Sequence, residues 1–129
     1  MPETTAHMPD AATLEALRSR SPDGPVVMLN LLKYREPGGR EAFARYGAIT
    51  GGLIQQAEGQ LIYGGTGGPG LTGTDIAWDD ILIVRFPTAR QFLAMIESDP
   101  YQNQAAPLRA EALEATVWLT TYPMAGFES

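Results

Sequence analysis

The chain lacks cysteine altogether, and its one histidine, His7, stands in a polar N-terminal stretch. Disulfides, thiol chemistry and the usual zinc or haem ligand sets are thereby excluded, as are Ser-His-Asp and Cys-His catalytic sets. No pair of carboxylates stands at a spacing suited to acid–base work, and neither a cofactor nor a metal is expected. Basic side chains are few and scattered: 9 Lys and Arg face 15 Asp and Glu, for a formal charge of -6. That balance removes the electrostatic footprint of nucleic-acid or anionic-membrane binding. Apolar runs of membrane-spanning length are missing too, and the opening Met1-Pro2-Glu3-Thr4-Thr5-Ala6-His7 has neither a basic start nor an apolar h-region. A soluble, untargeted protein of the reducing cytoplasm is the expectation.

What is present fits one domain, since 129 residues suffice for one core and fall short of two. A disordered tail over residues 1–9 and a single domain over 10–129 are expected. The chain is organised around residues 25–34, Pro25-Val26-Val27-Met28-Leu29-Asn30-Leu31-Leu32-Lys33-Tyr34. So continuous an apolar run suits a strand covered on both faces, with gross burial on the order of 10 kcal/mol before entropy is subtracted. Asn30 interrupts it and needs partners, either neighbouring backbone or a ligand.

Asp10 can cap a short helix carrying Leu14 and Leu17, which Ser21-Pro22-Asp23-Gly24-Pro25 stops. After the central strand, Phe43, Tyr46, Ile49, Leu53, Ile54 and Ala57 fall at helical spacing. Gly47, Gly51 and Gly52 interrupt this helix at about 1 kcal/mol each relative to Ala. Close packing of the backbone is expected there, with a ligand as the second option and a kink or early end as the third. Glu58-Gly59 should stop the helix.

Gln60 to Gly64 reads as a strand. Gly65, Gly67 and Gly70 formally match G-x-G-x-x-G, but a strand follows where a dinucleotide site needs a helix, so the loop reads as a hairpin connection. Residues 78–87 give a third strand, Thr88 caps a helix over 89–96, and Pro100 opens a short turn containing Tyr101. Pro107 should break that turn before residues 108–113, and Thr116 to Tyr122 form the last strand.

Strand, helix, strand, strand, helix, strand is the split βαβ order of an α+β, ferredoxin-like sandwich. Right-handed connections give an antiparallel sheet ordered 4-1-3-2, with an extra short helix at the N-terminus. Helices cover one face of such a sheet, and the first and third strands would leave the other as a large apolar patch. A homodimer that closes two sheets into one barrel is therefore expected.

Residues 27–35 (Val-Met-Leu-Asn-Leu-Leu-Lys-Tyr-Arg), Tyr46, Gly64-Gly65, Phe86-Pro87, Ser98 through Tyr101-Gln102, and Leu108-Arg109 resemble the domain of unknown function (DUF) 1330 family. The likeness runs from about Leu14 to Tyr122. It implies the dimeric α+β barrel superfamily, whose other branches include cofactor-free monooxygenases, isomerases, cyclases, dehydratases and stress proteins. Against the family's pattern, Thr72-Gly73 replaces a common Glu-Gly, Met95-Ile96 replaces an aromatic pair, and one residue is inserted between Tyr101 and Arg109.

A cleft between helices and sheet is the expected ligand site. Asn30, Tyr46, Tyr63 and Arg85 are the candidates for substrate binding, and Tyr101 and Arg109 for catalysis. A guanidinium among Ile, Leu and Val, as at Arg85, needs an acid or an anionic ligand; Asp79, Asp80, Glu41 and Glu111 are the structural alternatives. Arg109 suits a carboxylate or a surface position. The tyrosines can polarise a carbonyl or fill the core. Trp78-Asp79-Asp80 should form a charged clasp with Lys33 and Arg35. Two functions follow: a cofactor-independent enzyme acting on a small anionic or carbonyl-bearing, partly aromatic metabolite, or a non-catalytic dimeric binding or stress-response module that sequesters such a metabolite. A barrel acting through its surface alone has no positive support in the sequence.

Overall fold

The computed structural model describes residues 8–20 and 22–128; His7 and most of the expected tail lie outside them. Helix α1 (Ala11–Arg20) is followed by β1 (Val26–Tyr34), α2 (Gly39–Gln56), the hairpin strands β2 (Gln60–Thr66) and β3 (Asp80–Phe86), and α3 (Ala89–Ile96). A π-helical turn, Tyr101–Ala105, runs directly into α4 (Ala106–Ala112), and β4 (Leu113–Thr121) closes the order. Every pairing in the sheet is antiparallel, and the order β2-β3-β1-β4 is the expected 4-1-3-2. The two most apolar strands occupy its centre.

Caps at two helix starts are those legible in the sequence. The Thr13 N–H donates to Asp10 Oδ1 at 2.8 Å, which lowers the Asp10 pKa, and the Gln91 N–H donates to Thr88 Oγ1 at 3.1 Å. Strand β1 alternates strictly: Val26, Met28, Asn30, Leu32 and Tyr34 are buried under the helices, while Val27, Leu29, Leu31 and Lys33 are only half-buried on the other face. Cross-strand register carries this division through the sheet, so Ile81 and Ile83 of β3 and Val117 and Leu119 of β4 join the open face.

Several local expectations are corrected. A methyl group added at Gly47, Gly51 or Gly52 would meet nothing within 4 Å, so close packing does not explain these glycines, and α2 runs through them to Gln56. The left-handed residue after α2 is Glu58, at φ 62°, with its carboxylate held by Gln91 Nε2 at 2.7 Å. Gly59 answers a different need, because a Cβ there would lie 2.7 Å from Phe86 Cε2 and 2.8 Å from Ile54 Cγ2. Pro107 does not separate two turns. It sits in the first turn of α4, where a missing N–H is tolerated, and β4 starts at Leu113, ahead of the expected Thr116.

The clasp at residues 78–80 forms with different partners. Asp79 Oδ2 accepts from the Tyr34 N–H at 2.9 Å, the Tyr34 hydroxyl donates to Asp80 Oδ2 at 2.6 Å, and Arg40 lies 3.6 Å from Asp80. Lys33 points to the opposite face, since Asp80 pairs with Leu32, and Arg35 Nε donates to the Ala110 carbonyl at 3.4 Å. Burial, and then the bond to Asp80, push the Tyr34 phenol above its ordinary range. None of the described helices is long and apolar enough to cross a membrane.

Candidate functional site

A cavity of about 400 Å³ lies between α2 and the helix-covered face of the sheet. Most of its wall is apolar, with Phe43, Phe86, Phe92 and Met95 among the lining side chains, and its polar side chains include Asn30, Tyr46, Thr50, Gln55 and Arg109. Among the described residues that line it there is no Asp, Glu, His or Cys.

Arg109 is the centre of the polar end. It is 1% exposed, and among the described residues no carboxylate pairs with it. Its companions are neutral. Nη1 donates to the Tyr46 hydroxyl at 3.3 Å, and Nη2 donates to Asn30 Oδ1 and Thr116 Oγ1, each at 3.3 Å. The guanidinium carbon lies 4.2 Å from the centre of the Trp118 ring and 5.6 Å from that of Tyr46. Among the described residues Nε is buried without a hydrogen-bond partner. An isolated buried charge costs several kcal/mol even after relaxation, so this arrangement is suited to receiving an anion.

The hydrogen-bond directions can be worked out from satisfaction. Tyr101, with no exposed surface, stands behind Tyr46 with the two hydroxyls 2.8 Å apart. Donation from Tyr46 to Tyr101 would leave the Tyr101 O–H unpaired at full burial, at about 1–3 kcal/mol. Tyr101 therefore donates, the Tyr46 oxygen accepts from both Tyr101 and Arg109, and the Tyr46 proton is free to point into the cavity. Burial, first, and the neighbouring Tyr46 push the Tyr101 phenol well above its ordinary range, against a lowering influence of Arg109; it stays a neutral donor. The Asn30 carboxamide, with its oxygen held by Arg109, is left with its N–H₂ as a further donor at the same wall.

Sequence features explain how these groups meet. Asn30 is on the buried alternation of β1, directly opposite Trp118 of β4. Tyr46 and Thr50 are one turn apart on α2, where the Thr50 hydroxyl donates to the Tyr46 carbonyl at 3.0 Å. Between Tyr101 and Arg109 the chain passes through the π-helical turn at Tyr101–Ala105, wider than an α-helical turn, and both side chains are buried.

The six expected site residues thus separate into four and two. Asn30, Tyr46, Tyr101 and Arg109 form one network. Tyr63 pairs across the sheet with Ile83, and Arg85 with Val27, which places both on the open face and away from the cavity. Arg85 has none of its expected acidic partners: Asp80 pairs with Arg40 and Glu111 with Arg45. Thr50, Thr116 and Trp118 belong to the site and were not singled out from the sequence. Only the alternation of Trp118 and Thr116 along β4 could have pointed to them, once the buried face was known.

The family model described as a domain of unknown function (DUF1330) matches residues 33–121. Among curated proteins none matches the chain significantly. Of solved structures, a protein of unknown function from Rhodopseudomonas palustris is similar with a TM-score of 0.83 at 28% identity, over 91% of this chain and 95% of that one. A hydroxynitrile lyase from Passiflora edulis aligns with a TM-score of 0.58 at 20% identity, over 82% and 99% of the two chains. A dimeric ferredoxin-like protein of unknown function from Jannaschia sp. CCS1 aligns with a TM-score of 0.60 at 13% identity, over 78% and 100%. The last two share the ferredoxin-like fold.

Proposed function

The chain belongs to the DUF1330 family, and from that premise we propose that it binds a small, largely apolar metabolite bearing one anionic oxygen group in the cavity between helices and sheet. The single observation that carries this reading is the buried Arg109, without a carboxylate partner among the described residues, in a mostly apolar chamber. A carboxylate or enolate reaching Arg109 would gain charge-assisted hydrogen bonds and further donation from the Tyr46 hydroxyl and the Asn30 amide.

The same donors are suited to stabilising an oxyanion in a cofactor-independent reaction. Capture without turnover is favoured over that second reading by one observation: no side chain of the described cavity wall is an ordinary general base. Catalytic roles for Tyr101 and Arg109 become positioning and anion binding, respectively. The cysteine-free composition supports a cytoplasmic setting.

We further propose a homodimer. The face opposite the helices carries Leu29, Leu31, Ile81, Ile83, Val117 and Leu119, with Leu119 50% exposed, and a second copy of the same face would cover it. Sedimentation at micromolar concentration should give the mass of two chains; a mass of one would overturn this.

Calorimetric titration with octanoate and 2-naphthoate, each against its neutral primary amide, tests the ligand reading. At least one carboxylate should bind about tenfold more tightly than its amide, and Arg109→Gln should remove that margin. Equal binding of acid and amide, or a margin that survives in the variant, would overturn it. Product detected by mass spectrometry from a bound carboxylate would favour catalysis over capture.

A further inference from the structure

Three glycines inside α2, Gly47, Gly51 and Gly52, are explained neither by conformation nor by packing. None of Gly47, Gly51 and Gly52 has a positive φ, and a methyl group at each would enter open space. Each nonetheless costs the helix about 1 kcal/mol relative to Ala. Their surroundings divide them. Gly47 and Gly51, four residues apart and so on one helix face, line the cavity; Gly52 does not. Leu61 of the edge strand β2, more than half exposed, lines the same cavity. That cavity also holds the buried Arg109, whose Nε has no partner among the described residues, so the bare face and the orphaned donor belong to one site.

We propose that Gly47 and Gly51 form the bed of a planar aromatic carboxylate, whose ring lies flat on the bare α2 backbone while its carboxylate reaches Arg109. This rests on the anion-binding reading above and adds the shape of the ligand. Four residues of helix expose about 6 Å of backbone, a length comparable to two fused rings. At roughly 30 Å³ for each water-sized atom, the chamber takes on the order of a dozen non-hydrogen atoms, the size of a naphthoate. A side chain at either position would hold a flat ring off the helix and narrow the cavity. A flexible aliphatic acid could thread past it. Gly47 and Gly51 are accordingly specificity-determining positions that trade helix stability for room.

The test is calorimetric titration of 2-naphthoate and octanoate into the natural chain and into Gly47→Leu, Gly51→Leu and Gly52→Leu, with melting temperatures recorded for each. All three variants should melt no lower than the natural chain, since Leu is a better helix former than Gly. The natural chain should prefer 2-naphthoate. Gly47→Leu and Gly51→Leu should weaken that binding about tenfold or more, as overfilling does, affect octanoate less, and leave Gly52→Leu as the unaffected control. Gly47→Ala and Gly51→Ala, with a smaller loss of about threefold expected, serve if a leucine variant fails to fold. A preference for octanoate, or 2-naphthoate affinity unchanged at positions 47 and 51 or equally reduced at 52, would overturn the bed while leaving the anion reading intact. Loss of the carboxylate-over-amide margin, or binding of neither acid, would overturn both.

Discussion

The Arg109 guanidinium of α4 lies over the Trp118 ring of β4, its carbon 4.2 Å from the ring centre. This contact holds a cation among neutral partners, the arrangement on which the anion-binding proposal rests. Replacing such an unpaired buried ion by an apolar side chain of similar volume is often neutral or stabilising. In urea melts Arg109→Met should keep stability within about 1 kcal/mol of the natural chain, whereas Arg109→Lys, which loses the planar fork and the stack, should lower it by about 1–3 kcal/mol. A loss above about 3 kcal/mol in Arg109→Met would make the residue structural.

Tyr46 and Tyr101 differ in what each loses with its hydroxyl. Tyr46→Phe strands the Tyr101 O–H at full burial and should cost about 1–3 kcal/mol. Tyr101→Phe leaves a Tyr46 oxygen that still accepts from Arg109 and faces the cavity, so a smaller loss, about 0.5–1.5 kcal/mol, is expected. Urea denaturation of both variants checks the order.

Glycine replacements should have opposite effects at two nearby places. Gly59→Ala drives a methyl group against Phe86, itself fixed in the core by an edge contact with Phe92, and should destabilise by about 1–3 kcal/mol. Gly52→Ala adds a methyl group in open space within a helix and should stabilise by up to about 1 kcal/mol. Thermal melts of the two variants distinguish them.

Alkaline stability follows from the buried phenols. Tyr34 and Tyr101 have pKa values above the ordinary range in the folded chain, chiefly through burial. The stability this represents is whole below about pH 10, where unfolded tyrosine ionises, and is lost as pH rises through the range above it. The urea midpoint should fall between about pH 10 and 11.5, and less steeply in Tyr101→Phe.

The fold was legible because its signals are local or periodic: the apolar runs at β1 and β3, the caps at Asp10 and Thr88, and the helical spacing from Phe43 to Ala57. Asn30 stands out as a carboxamide in an apolar strand, while Tyr46, Tyr101 and Arg109 stand out through the family resemblance, Arg109 also by its place just after Pro107. Period two divides a strand into faces without saying which one the helices cover. That is why Arg85 and Tyr63 were grouped with a cavity they do not reach, and why Trp118 was passed over. Nor does spacing report the space above a helix face, so Gly47 and Gly51 could not be told from packing glycines. Pro107 looked like a break because the π-helical turn ahead of it has no periodic signature.

A crystal structure of the natural chain soaked with 2-naphthoate tests the anion site most directly. The carboxylate should lie within hydrogen-bond reach, about 2.7–3.2 Å, of an Arg109 nitrogen and of the Tyr46 hydroxyl or the Asn30 amide. A ligand seated elsewhere, or an Arg109 already paired with a carboxylate of the protein itself, would contradict it.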